Sequence, residues 1–220
     1  MVVPVLDEAG ELPSLIARLQ ALASAGCEVV VVDGGSRDGS AEALVAAGLR
    51  VIRRTGGRGP QLQAGAEAAQ ADSLLFLHAD TVLPEQAVLL VRAALAGGRL
   101  RWGRFDVAIS GRHPMLRVVA WLINWRSRLT GIATGDQALF MTRAALDAAG
   151  GFPAQPLLED VEISTRLRAL ARPVCLRARV VTSGRRWERR GVWSTIWLMW
   201  RLRWLYWRGV PATTLVEHYR

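Results

Sequence analysis

Along the first half of the chain, apolar runs end at acids. Val2-Val3-Pro4-Val5-Leu6 meets Asp7-Glu8, Val29-Val30-Val31-Val32 meets Asp33, and Leu74-Leu75-Phe76-Leu77 meets His78-Ala79-Asp80. Short runs without polar alternation read as strands buried on both faces. Strands are predicted at 1–6, 28–33, 49–53 and 73–78. Between them, helical spacing predicts a helix over 11–24, with Leu12, Leu15, Ile16, Leu19 and Leu22 on one side. Further helices are expected over 39–47, after the glycine-rich loop 54–59 with Pro60 near the first turn, and over 84–96. This alternation predicts an α/β fold, a mostly parallel wound sheet with helices on both faces.

The second half is less regular. Strands are expected at 101–109, 138–142 and 174–181. Helices are expected at 114–129, shortly before Gly150-Gly151, at 159–169 and at 192–208. In the last helix Trp193, Trp197, Trp200, Trp204 and Trp207 fall on one stripe. The stripe reads either as packing, on the domain core or on a twin subunit in a homodimer, or as a peripheral membrane contact through 191–208. Packing is the favoured expectation. The apolar stretch is about 17 residues and contains arginines, short of the roughly 20 apolar residues a bilayer span needs. Residues 1–190 are expected to form the main domain and 191–220 an amphipathic appendage.

Composition bounds these readings. A length of 220 residues with 51% hydrophobic positions suits one α/β domain with an appendage. Cys27 and Cys175 lie beside apolar runs and read as buried free thiols. No secretory leader is recognisable, so a cytoplasmic protein is expected. The net charge of +9 is uneven: residues 1–98 sum to −4 and residues 99–220 to +13, with arginine the only basic residue besides histidine. The asymmetry suggests a metal-tolerant first half and a phosphate- or membrane-facing second half.

Acids at successive strand ends carry the chemistry. Parallel strands bring their carboxyl ends to one edge, where open sheets bind ligands. Asp7, Glu8, Asp33 and Asp80 are thereby expected to gather, able to hold Mg²⁺ or Mn²⁺ with a nucleotide. Asp33-Gly34-Gly35-Ser36 reads as a nucleotide contact or as a polar turn. Asp80 reads as a metal-diphosphate residue or as a cap before Pro84. Arg58, in a glycine-rich loop before a helix, is a candidate diphosphate contact. Gly135-Asp136-Gln137 reads as a substrate-hydroxyl contact or a loop. Glu159-Asp160 opens a helix, where the dipole stabilises carboxylates, or else supplies a general base.

In order, these segments resemble the inverting family-2 glycosyltransferases of the GT-A fold. The resemblance rests on Val3-Pro4-Val5-Leu6-Asp7-Glu8, on Val31 to Ser40, on Arg58 to Gly65, on Phe76 to Asp80, and on Gly150-Gly151-Phe152 with Glu159-Asp160. It covers roughly residues 2–170. A small bacterial subgroup also shares His-Ala-Asp and the late Arg185-Arg186-Trp187-Glu188-Arg189-Arg190-Gly191. The resemblance implies that Asp33 contacts the nucleobase, with Pro4 and Glu8 lining the pocket. Asp80 becomes the metal and diphosphate residue, with His78 in place of the usual first Asp of the DxD motif. Asp160 becomes the catalytic base beside Glu159, and Arg185, Arg186 and Trp187 lie near diphosphate and acceptor. A UDP- or GDP-sugar donor and a hydroxyl acceptor follow. Should the tryptophan helix contact membrane, the acceptor is expected to be lipid or lipid-linked and the protein to lie on the inner face of the cytoplasmic membrane.

Two other enzyme classes fit less well. A nucleotidylyltransferase would carry a basic glycine-rich loop where Asp7-Glu8 stand, and a nicotinamide oxidoreductase needs Gly-x-Gly-x-x-Gly after the first strand. The non-enzymatic alternative is an arginine- and tryptophan-rich module for membrane or nucleic acid. It leaves the strand-end acids unexplained, so nucleic acid is not the expected partner.

Overall fold

The structure, a computed structural model, describes residues 1–219, apart from the side chains of Arg186, Arg189 and residues 217–219. Three parallel strands, β1 (Val2–Val5), β2 (Val30–Asp33) and β3 (Arg50–Arg53), alternate with helices α1 (Leu12–Ser24) and α2 (Ser40–Ala46). Helix α3 (Arg58–Ala68) leads to β4 (Ser73–Leu75), and β5 (Thr81–Val82) precedes α4 (Ala87–Leu95). A parallel bridge from Val2 to Phe76 joins β4 to β1. Then follow β6 (Trp102–Ser110), α5 (Met115–Thr130), β7 (Phe140–Thr142), α6 (Arg143–Ala148), α7 (Glu159–Leu170) and β8 (Val174–Ser183). The chain ends in α8 (Arg185–Arg190), α9 (Val192–Trp207) and α10 (Ala212–Tyr219).

Burial explains the valine runs. Val3, Val5 and Val31 face one core, with Leu15 and Leu19 of α1, Leu44 of α2, Val91 of α4 and Val119 of α5. Their neighbours Val2, Val30 and Val32 face the other, with Leu62 of α3, Leu146 of α6 and Ile163 of α7. Successive residues point to opposite faces, so both must be apolar. The free thiols of Cys27 and Cys175 are half-buried rather than buried.

Two departures from the parallel expectation shape the site. β7 runs antiparallel to both β4 and β6, and β5 runs antiparallel to β8. An antiparallel strand begins at the rim where its parallel neighbours end. The segment before β7, Gly135-Asp136-Gln137, is therefore delivered to the rim that carries the strand-end acids. β8 runs parallel to β6 and ends at the same rim, so the chain enters α8 there.

The C-terminal helix overturns one expectation. α9 turns Val192, Thr195 and Leu202 inward, and the Tyr206 hydroxyl donates to Glu162 Oε2 at 2.9 Å. The five tryptophans face outward and are 54–80% exposed, so the stripe does not pack on the domain core. Among the described residues, no helix is long and apolar enough to cross a membrane.

Candidate active site

The first part of the rim is a pair of stitched loops. Asp33 is 2% exposed, and its carboxylate accepts from the amides of Gly35 and Ser36, each at 3.0 Å. Gly35 adopts φ +100°, the left-handed conformation this turn needs. The loop after β1 is tied to it: Asp7 N donates to Ser36 Oγ, Glu8 N to Ser40 Oγ and Ala9 N to Asp38 Oδ2. In return Arg37 N donates to Asp7 Oδ1 at 2.8 Å. Pro4 is buried in β1. Gln61 of α3, not singled out from sequence, donates to Val5 O at 3.1 Å and Val32 O at 2.8 Å, pinning the ends of β1 and β2. Its signal was a lone amide among the buried positions of α3.

The middle of the rim brings together five segments. Asp80 Oδ1 accepts from the hydroxyls of Thr81 at 3.3 Å and Thr182 at 3.4 Å, linking β5 to the end of β8. Burial first, then the nearby Asp80, pushes the Glu8 carboxyl up, while Arg185 opposes the shift. A Cβ added to Gly135 would lie 2.4 Å from His78 Nε2, so only glycine lets this turn approach the imidazole. Gly135 N donates to Asp160 Oδ2 at 2.8 Å. Thus His78, Gly135 and the half-buried Asp160 form one contiguous surface.

Behind Asp160 lies a buried ionic group. Glu159 is 4% exposed, with Arg58 Nη1 3.7 Å from its Oε1. Burial, reinforced by the Asp160 carboxylate and opposed by Arg58, pushes Glu159 up from 4.5 to about 7. Burial also raises the Asp136 carboxyl, with Asp160 adding to it. Arg126 of α5 is lowered to about 10, by burial first and then by Arg203 of α9. Arg126 Nη2 and Asp136 Oδ1 are buried with no hydrogen-bond partner. Arg126 and Arg203 were not expected from sequence, because nothing local marks an inward arginine on an amphipathic helix.

Backbone strain marks the same places. The non-glycine residues at positive φ among those described are Asp7, Ala138 and Leu158. Each borders a rim segment, before Glu8, after Gln137 and before Glu159. Non-glycine residues in this region cost about 1–3 kcal/mol and cluster at functional sites.

Other expectations fare differently. Arg185 reaches Glu11 Oε1 at 2.9 Å and Ser183 Oγ at 3.1 Å, close to Glu8. The half-buried Trp187 packs on the core, and the Arg186 side chain lies outside the described residues. Among the described residues, no group of three or more His, Cys, Asp or Glu side chains is placed to hold a metal ion. The expected carboxylate cluster is therefore corrected: the Asp7 and Asp33 carboxylates are engaged by loop amides. Asp80 with His78 remains. Of these only the Asp80 carboxylate is a hard oxygen donor, which would suit a Mg²⁺ held mainly by ligand phosphates and does not suit one caged by protein alone.

An acid-rimmed wound sheet with one antiparallel strand at its centre defines a GT-A-fold protein. A mannosyltransferase from Pyrobaculum calidifontis, solved with GDP-Man and Mn²⁺, superposes with a TM-score of 0.63 at 19% identity, covering 92% of this chain and 59% of that one. Glucosyl-3-phosphoglycerate synthase from Mycobacterium tuberculosis, solved with Mn²⁺, UDP and glucosyl-3-phosphoglycerate, gives 0.55 at 22% identity, covering 82% and 69%. The Glycosyl transferase family 2 profile matches residues 1–144, and the chain belongs to that family. An undecaprenyl-phosphate 4-deoxy-4-formamido-L-arabinose transferase of Pseudomonas paraeruginosa is 35% identical over 145 residues, 60% of this chain and 40% of that one. Its Pseudomonas fluorescens counterpart is 33% identical over 168 residues, 67% of this chain and 48% of that one. The chain spans less than half the length of these relatives.

Proposed function

We propose that the rim binds a UDP- or GDP-sugar and transfers the sugar, with inversion, to the hydroxyl of a lipid or lipid-linked acceptor. The observation that carries this reading is the Gly135 turn, which touches His78 on one side and holds Asp160 at 2.8 Å on the other. It joins a diphosphate end to a carboxylate able to take a proton. Residues 1–190 act as the catalytic unit, and 191–220 as its helical appendage.

Asp33, Pro4, Glu8 and Gly35 border the nucleotide, and Arg58 and Arg185 supply positive charge near the diphosphate. The acceptor oxygen attacks the anomeric carbon as the bond to the diphosphate oxygen breaks. The electron pair leaves with the nucleoside diphosphate, and the acceptor proton passes to Asp160. Asp160 suits this role better than Glu159, which is buried against Arg58. Asp80, with His78, would hold Mg²⁺ or Mn²⁺, which when bound neutralises charge on the diphosphate. Asp136 borders the acceptor side. The names of the Pseudomonas relatives support a lipid-borne acceptor. Nucleotide sugars are cytoplasmic metabolites, which suits a position on the inner face of the membrane.

The direct test is a sugar-nucleotide panel, scored by mass spectrometry for hydrolysis and by thermal shift with Mn²⁺. One donor class is expected to stabilise the protein and be turned over, and Asp80→Ala to lose both responses. A panel without turnover or stabilisation would overturn the reading.

Glu159 gives a second test. Its proton is retained in the folded chain up to about pH 7, whereas the unfolded chain releases it near 4.5. Its contribution is therefore fully present below pH 4.5 and is lost as pH rises through 7, by at most about 3 kcal/mol. Glu159→Gln is expected to lose less stability than the native protein between pH 5 and pH 8 in urea unfolding. Parallel curves would show that burial does not hold that proton.

A further inference from the structure

We propose that the outward faces of α5 and α9 dock this protein on an anionic lipid bilayer. On α9 the five tryptophans form an exposed row, and on α5 Val118, Trp121, Leu122, Trp125 and Leu129 form another. Both helices pack on the same side of the sheet, since Val192 and Ile196 share a core with Leu116 and Val119. Farther along, Arg203 of α9 acts on Arg126 of α5. The two helices therefore lie on the same side of the sheet, and each leaves its apolar row exposed. An exposed apolar surface of this kind marks an interaction site.

Charge identifies the occupant. Neither α5 nor α9 contains a single Asp or Glu, while Arg117 and Arg201 stand exposed among the apolar positions, with Arg208 just after α9; Arg128 is instead tied to Asp106 at 2.6 Å. The Arg201 guanidinium lies 5.3 Å from the Trp197 ring centroid, and that of Arg208 5.2 Å from Trp204. The cations are thus held at the level of the indole rings, where headgroup phosphates meet acyl chains. Tryptophan prefers that boundary, and basic residues are drawn to anionic leaflets. A second copy fits poorly, because a two-fold contact would set arginines against arginines with no acid to pair them. Single-stranded nucleic acid needs a groove with separate stacking platforms, whereas these rows form an outward face.

The inference does not depend on the catalytic reading, but the two connect. α5 and α9 also carry Arg126 and Arg203, which face Asp136 and Asp160 from the inward side. Docking by the outer rows would bring the acceptor end of the rim close to the bilayer.

Flotation of the full chain with liposomes tests it. Vesicles of equal phosphatidylglycerol and phosphatidylcholine are expected to carry the native protein, and pure phosphatidylcholine far less. Trp197→Ala with Trp204→Ala should abolish flotation while the melting curve is preserved, since both rings are exposed. Arg201→Gln with Arg208→Gln should weaken partitioning about 30-fold and flatten its salt dependence. Absence of flotation with anionic vesicles overturns the proposal. So does a concentration-dependent dimer that the Trp variant alone disrupts, or an oligonucleotide complex formed without flotation. Because these assays involve no donor sugar, their failure is separate from failure of the transferase reading.

Discussion

Asp160→Asn is expected to lower turnover by about 10²-fold or more, the usual contribution of a positioned general base. Nucleotide affinity should remain unchanged. The separation follows from the geometry: Asp160 is anchored by Gly135 N at 2.8 Å and by Val161 N at 2.7 Å, on the α7 side of the rim. The loops after β1 and β2, proposed to border the nucleotide, are stitched by Asp7, Asp33 and Asp38, which do not touch it. Asparagine keeps the side-chain volume and one acceptor for the Gly135 amide, so the turn against His78 is retained. Calorimetric titration with the nucleoside diphosphate, beside single-turnover transfer, reads the two effects apart.

The same variant distinguishes acceptor chemistries. A hydroxyl must lose its proton during attack, whereas a phosphate oxygen is already ionised near neutral pH and needs no base. Arg126 and Arg203, converging on Asp136 and Asp160, would suit an anionic acceptor. Native-like turnover in Asp160→Asn would remove Asp160 from the role of base and favour a phosphate nucleophile. A loss of the expected size favours the hydroxyl.

The β1–α4 half was legible because two-sided burial leaves little freedom. Val29 to Val32 can only be a central strand, and the acid ending each such run must lie at the rim. What escaped sequence depends on contacts between distant segments. β5 is two residues long and exists because Thr81 pairs with Thr182, 101 positions away. The direction of β7 is not written in Phe140-Met141-Thr142, which would serve equally well in a parallel strand. Yet that direction carries Asp136 to the rim and sets Gly135 against His78. The Trp stripe shows a different limit. Periodicity established that five indoles share one side of α9, but not whether that side is inner or outer. The inner side is occupied by smaller and polar groups, Val192, Thr195, Arg203 and Tyr206, so the larger rings are left outside.

Gly59→Ala is expected to destabilise the protein by about 1–3 kcal/mol, the usual effect of overpacking. For a chain of this size that corresponds to a fall in melting temperature of roughly 2–12 °C. Gly59 is in the first turn of α3, and an added Cβ would lie 2.2 Å from Pro153 O and 3.2 Å from Gln155 O. Backbone oxygens cannot rotate away as a side chain can, so α3 or the loop over 153–158 must move. That loop leads into Leu158 at positive φ and then into Glu159 and Asp160. Displacing it also separates Arg58 from Glu159, now 3.7 Å apart, so transfer should fall even at temperatures where the variant remains folded. Gly10→Ala is the matched control, because nothing lies within 4 Å of its added Cβ and its φ is not positive. It should melt with the native protein and retain its turnover. If Gly59→Ala melted and turned over like Gly10→Ala, the close seating of α3 against the Glu159–Asp160 loop would be wrong, and with it the geometry that brings Arg58 to the rim.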